Sequence, residues 1–144
     1  PVQVHAFIEN MAAAFAAADL VVTRSGASTI AELAVMHKPS ILVPYPHATD
    51  NHQEHNARVF VDAEATLLLH DAELTPDALL GAIRELLGNA GRLDAMAQAA
   101  GTLAKPGAAD TIAAEILSLA FGEGKGQTVR RSVEADAAAP RDGV

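Results

Sequence analysis

The chain has 144 residues, half of them hydrophobic, with aromatics at only 3% and a formal net charge of −8. That length supports one domain with a real core and is too short for two ordinary ones, and the lack of cysteine excludes a disulfide framework and thiolate metal sites. After residue 121 four basic residues (Lys125, Arg130, Arg131, Arg141) balance four acidic ones (Glu123, Glu134, Asp136, Asp142), so the excess charge lies in residues 1–121. An acidic domain with few aromatics is a poor nucleic-acid binder. No apolar run reaches the roughly 18 residues needed to span a membrane.

Val2 to Ile8 alternates in polarity and is predicted to be a strand, followed by a helix from about Glu9 to Ala18. Because the chain opens in mid-strand with proline rather than methionine, it reads as part of something longer. A short apolar run, Leu20-Val21-Val22, then leads through Thr23-Arg24-Ser25-Gly26-Ala27 into a helix from Thr29 to about Met36, ended by His37-Lys38-Pro39. A strand that feeds through a small-residue turn into a helix exposes free backbone N–H groups and a positive dipole end, which suits an anion.

The next run, Ser40 to Val43, stops at Pro44-Tyr45-Pro46, where two prolines hold an extended loop. This loop delivers Asn51-His52-Gln53 to a helix running to Asp62, and Ala65 to Leu69 is the following strand. Thr75-Pro76-Asp77 is a helix start, with a threonine cap, proline in the first turn and an acid near the positive end. That helix runs to Leu87 and is closed by Gly88-Asn89. Further helices are predicted over Arg92–Leu103 and Ala108–Ala120, and the Gly-, Ser- and Ala-rich stretch 122–144 is predicted to be disordered. Strands alternating with helices imply an α/β fold with a parallel sheet and right-handed crossovers.

Several residues admit a plain reading and a sharp one. Glu32 lies three residues after Thr29, the spacing of a capping box, but it could also receive two adjacent sugar hydroxyls, as acids do in dinucleotide folds. The Gly26 turn carries neither a GxGxxG nor a GxxxxGK[ST] pattern. Arg24 could meet a phosphate or pair with a surface acid. His47, His52 and His55 match no zinc spacing, so neither a metal nor another cofactor is expected. His52 and Gln53 are better suited to hydrogen-bonding a polyol. No GxSxG elbow or other nucleophile arrangement is present.

In their order, Arg24-Ser25-Gly26-Ala27, Thr29-Ile30-Ala31-Glu32, Val43-Pro44-Tyr45-Pro46 and Asp50-Asn51-His52-Gln53 resemble the C-terminal half of the MurG glycosyltransferases. The likeness runs from about Val2 to Leu119. That family moves N-acetylglucosamine from UDP-N-acetylglucosamine to the lipid-linked muramyl-pentapeptide of peptidoglycan. The resemblance implies the donor-binding, Rossmann-like domain of a GT-B enzyme over residues 1–121, a parallel sheet with helices on both faces.

It further implies that the Ile8 backbone meets uracil, that Ala27, Ser28 and Thr29 amides face the diphosphate at the Ser25-Gly26 turn, and that Glu32 takes the ribose hydroxyls. His52 and Gln53 would touch the sugar hydroxyls, where family members often carry two glutamines. Arg24, Asn51 and Asn56 are further candidates. The resemblance places the catalytic base and the lipid-linked acceptor in another domain, which would also meet the inner face of the bacterial membrane. It also places a glycine-rich loop upstream, so this stretch alone is expected not to turn over. Other GT-B transferases, a UDP-sugar epimerase and a non-catalytic nucleotide-sugar module remain alternatives.

Overall fold

Three short apolar runs become a parallel sheet in the computed structural model, which describes residues 2–121. The strands are β1 (Val21–Thr23), β2 (Ser40–Leu42) and β3 (Thr66–Leu68), in the spatial order β1-β2-β3. Val22 pairs with Ile41, and Ile41 with Leu67. Six helices accompany them among the described residues: α1 (Met11–Ala17), α2 (Ala27–Val35), α3 (His52–Asp62), α4 (Pro76–Leu87), α5 (Ala90–Thr102) and α6 (Ala108–Phe121). The described residues divide into two units, 2–105 and 106–121. The described part of the second unit holds α6, where Thr111 N–H and its hydroxyl both donate to Gly107 O at 3.0 Å.

Side chains of a strand alternate between faces, so a central parallel strand must be apolar on both. In β2 every residue is buried. Leu42 joins Phe15 of α1, Leu33 and Ala34 of α2, Ala57 and Phe60 of α3 and Ala100 of α5 on one face. On the other, Ile41 and Val43 meet Leu69, Leu86 of α4 and Met96 of α5. Helices therefore cover both faces, as the resemblance implies. Leu33, Ile41, Leu42 and Leu86 are wholly removed from solvent, and each such side chain contributes about 1.5–3 kcal/mol.

The one polar residue in β2, Ser40, is fully buried but satisfied. Its hydroxyl donates to Thr66 Oγ1 at 3.0 Å, and that hydroxyl donates back to Ser40 O at 2.9 Å. Both crossover helices end the same way. After α2, His37 takes a φ of 51° while Lys38 N–H reaches Leu33 O at 2.9 Å and His37 N–H reaches Ala34 O at 3.1 Å. After α3, Glu64 takes a φ of 61°, with Ala65 N–H on Phe60 O at 2.8 Å and Glu64 N–H on Val61 O at 2.9 Å. These left-handed closures turn each helix back toward its strand. The His37 ring lies so close to α5 that a Cβ on Gly101 would stand 2.5 Å from it. Lys38 Nζ donates to Ala16 O at 3.2 Å and Ala18 O at 2.9 Å, holding the end of α1.

Three expectations are corrected. Val2 to Ile8 is not a strand: it pairs with none of β1, β2 or β3 and leaves Val2, Val4 and Phe7 exposed. Alternation alone does not make a strand, because the extended backbone needs a neighbouring ladder for its N–H and C=O groups. The Thr29–Glu32 capping box does not form either. Helix α2 begins at Ala27 with Gly26 as its cap, so Thr29 already sits inside the first turn. The α5 start also moves two residues back from Arg92, because the Asn89 carboxamide accepts from Arg92 N–H at 3.0 Å. The expected tail at 122–144 lies outside the described residues.

Candidate functional site

All three strands run the same way, so their carboxyl ends open at one edge, where α/β sheets bind ligands. Three segments meet there: Arg24 to Ala27 after β1, Val43 to Asn51 after β2, and His70 to Glu73 after β3. Gly26 caps α2 in an extended conformation, φ −65° and ψ 149°, and no side chain covers the helix start. The first intrahelical bond is Ile30 N–H to Gly26 O at 3.0 Å. The N–H groups of Ala27, Ser28 and Thr29 are therefore the open donors of that turn. Ala27 and Ser28 are exposed and Thr29 is half-buried.

Ser25, although a candidate ligand residue, is completely buried and its hydroxyl donates to Gln53 O at 2.7 Å. Asn56 Nδ2 returns the link by donating to Ser25 O at 3.0 Å. These two bonds clasp the start of α2 to the first turns of α3. The anion turn and the His52-Gln53 segment are thus held in fixed relation by residues whose polar atoms are already engaged.

Gln53 is half-buried, and its Oε1 accepts from Tyr45 N–H at 3.0 Å. A backbone N–H can only donate, so the amide is oriented with Nε2 free to donate outward. His52 Nδ1 lies 2.7 Å from Thr49 O. A carbonyl can only accept, so Nδ1 carries the proton, and in the neutral ring Nε2 is left as an acceptor. One donor group and one acceptor at adjacent positions complement sugar hydroxyls. Asp50 and Asn51 stand in left-handed backbone, φ 49° and 55°, where the loop turns into α3.

Glu32 is exposed on α2 and lines an apolar cleft of about 310 Å³ with Met11, Phe15, Val35 and Met36. Ile8 lies three residues before α1; the structure brings Met11, the first residue of that helix, beside Glu32. Arg24 turns away from the anion turn. Its Nη1 donates to Val43 O at 3.3 Å and Pro44 O at 3.1 Å, and pairs with Asp71 Oδ1 at 2.6 Å. Sequence reasoning missed Asp71, Tyr45 and the apolar wall beside Glu32. The first two act through contacts with residues distant in sequence, and the wall forms only when α1 packs on α2. Among the described residues no cluster of three or more His, Asp or Glu side chains could hold a metal ion, and no helix is long and apolar enough to cross a membrane.

The glycosyltransferase family 28 C-terminal domain matches residues 1–112. The chain is 46% identical over 136 residues to the UDP-N-acetylglucosamine–N-acetylmuramyl-(pentapeptide) pyrophosphoryl-undecaprenol N-acetylglucosamine transferase of Myxococcus xanthus, covering 94% of the chain and 36% of that protein. It is 53% identical over 110 residues to the protein of the same name from Anaeromyxobacter sp. strain K, covering 76% and 29%. A crystal structure of Acinetobacter baumannii MurG superimposes with a TM-score of 0.70 at 36% identity, over 76% of this chain and 31% of that one. The chain thus spans about a third of the length of the curated relatives it matches.

Proposed function

The chain belongs to the glycosyltransferase family 28 C-terminal domain family, and from that membership and the geometry of the sheet edge we propose that it is the donor-binding part of an N-acetylglucosaminyltransferase. The donor is UDP-N-acetylglucosamine and the acceptor is undecaprenyl-diphospho-muramoyl-pentapeptide. The observation that carries the reading is the uncapped start of α2 at the carboxyl edge of the sheet, with Glu32 one turn further on.

The diphosphate sits on the N–H groups of Ala27, Ser28 and Thr29. An inverting transfer without a metal must stabilise the charge that grows on departing UDP, and preorganised amides at a positive helix end do so without rearrangement. Glu32 accepts from the ribose hydroxyls, and the cleft walled by Met11, Phe15 and Val35 takes the flat face of the nucleoside. Gln53 Nε2 and His52 Nε2 receive the sugar hydroxyls. The general base for the acceptor hydroxyl, the lipid-linked acceptor and the peripheral contact with the membrane belong to the remainder of the enzyme.

Calorimetric titration tests the reading. UDP and UDP-N-acetylglucosamine should bind this chain in preference to ADP-glucose, and Glu32→Gln should weaken UDP binding by about 1–3 kcal/mol through lost charge-assisted hydrogen bonds. Unchanged affinity in the variant would remove Glu32 from the site. Stronger binding of a different UDP-sugar would point to another transferase or to an epimerase.

A further inference from the structure

We infer that Arg24 and Asp71 form a positioning pair that aims Gln53, and so sets how strongly the sugar half of a nucleotide sugar is held; the inference rests on the donor-binding reading above. Arg24 follows β1 directly and, by sequence, is placed to meet a phosphate. Its guanidinium is engaged elsewhere. Nη1 donates to Val43 O and Pro44 O and pairs with Asp71 Oδ1, while the group lies 5.6 Å from the centre of the Tyr45 ring. One side chain therefore joins the end of β1, the proline loop after β2 and the short turn Asp71–Glu73 after β3.

The residue held in this way is the one that orients Gln53. Tyr45 follows Pro44 directly, and its N–H is the donor to Gln53 Oε1. If the loop shifts, that N–H moves and the carboxamide loses the bond that fixes which of its ends faces outward. Pro44 is buried, but Tyr45 beyond it is 45% exposed and with Asn51 borders an open cleft of about 420 Å³ shared with Glu54, His70 and Asp71, so packing holds the Tyr45 end of the loop only weakly. Nor does the backbone favour the position unaided, since Asp50 and Asn51 are two consecutive left-handed residues. The polar tether supplies the restraint. Both partners are partly exposed, 46% and 36%, so the Coulomb attraction is well screened. What Asp71 supplies is a short charge-assisted hydrogen bond, 2.6 Å to Nη1, that holds this nitrogen where it also reaches two carbonyls, and a neutral amide would hold it less strongly.

The test uses this chain, its Asp71→Asn variant and its Asp71→Glu variant. UDP and UDP-N-acetylglucosamine are titrated into each, and amide hydrogen exchange at Tyr45 is followed without ligand. In Asp71→Asn, UDP affinity should stay within about twofold of the parent, while the extra affinity conferred by the sugar falls roughly fivefold, the worth of one neutral hydrogen bond. Tyr45 exchange should quicken by about tenfold as the loop opens locally, and Asp71→Glu should restore both. Parallel losses of UDP and UDP-N-acetylglucosamine affinity would overturn the inference, since a general structural or phosphate role would produce them. So would a sugar increment and a Tyr45 protection equal to the parent's. A parent chain that binds neither ligand would instead refute the donor-binding reading, and the inference with it.

Discussion

The starts of helices α1 to α5 fall into two groups that differ in place and in chemistry. Helices α1, α4 and α5 each begin beneath a side chain: Asn10 accepts from Ala13 N–H at 2.9 Å, Thr75 from Ala78 N–H at 3.1 Å and Asn89 from Arg92 N–H at 3.0 Å. Helices α2 and α3 begin at the carboxyl edge of the sheet, at Gly26 and Asn51, and neither start has a side-chain cap. Where a helix start serves only the fold, the chain meets the demand of its free N–H groups from within. At the start of α2 the donors stay open, and the stability a cap would add is forgone where a ligand can take its place, whereas His52 N–H at the start of α3 already donates to Thr49 O. Under the proposed function, the difference separates groups that hold the molecule together from groups that receive an anion.

The most direct way to break this division is to close an open start. Gly26→Asp is sterically free, since the nearest atom to a Cβ there is Thr29 Oγ1 at 3.8 Å, and the backbone is already extended as a cap requires. The new carboxylate would accept the donors meant for the diphosphate and repel it. UDP affinity should fall at least about tenfold, or about 1.4 kcal/mol, while thermal stability stays level or rises by a few tenths of a kcal/mol. Retained UDP affinity would mean that the anion does not sit at the start of α2.

The converse test opens a closed start. Thr75→Ala should cost about 1 kcal/mol of stability, seen as a drop of roughly 4–8 °C in Tm for a unit of this size, with UDP affinity unchanged. A coupled loss of binding would show that the two groups are not separable. The smallest effect is expected at Asn10→Ala. Helix α1 has only seven residues and a largely exposed first turn, so denaturant titration should register about 0.5 kcal/mol.

What could be read from the sequence follows the reach of each interaction. The Thr75-Pro76-Asp77 start was legible because the cap and its donor lie three residues apart. The Gly26 turn and the apolar runs of β2 and β3 were legible for the same reason, as local pattern implies local conformation. Thr29 and Glu32 also fit a local rule, but the Gly26 turn had taken the cap position one turn earlier. Val2 to Ile8 fits the period of a strand, yet pairing is a property of two segments and periodicity describes one. The clasp of Ser25 to Gln53 and Asn56 spans 28 and 31 residues. The Arg24–Asp71 pair reaches further still. Neither leaves a mark in any short window, so the candidate site could be named from sequence while the framework that aims it could not.

The close approach of Gly101 to His37 sets a rule for anyone engineering a hardier version of the chain. Replacing helical glycine with alanine is a common route, because it narrows the range of conformations open to the unfolded chain. Gly81 in α4 invites that change: a Cβ there meets nothing within 4 Å. At Gly101 the same methyl would stand 2.5 Å from the exposed His37 ring, which would have to swing aside to admit it. A mutant library should treat the first glycine as free and the second as one to vary together with His37, although a propensity scale scores the two alike.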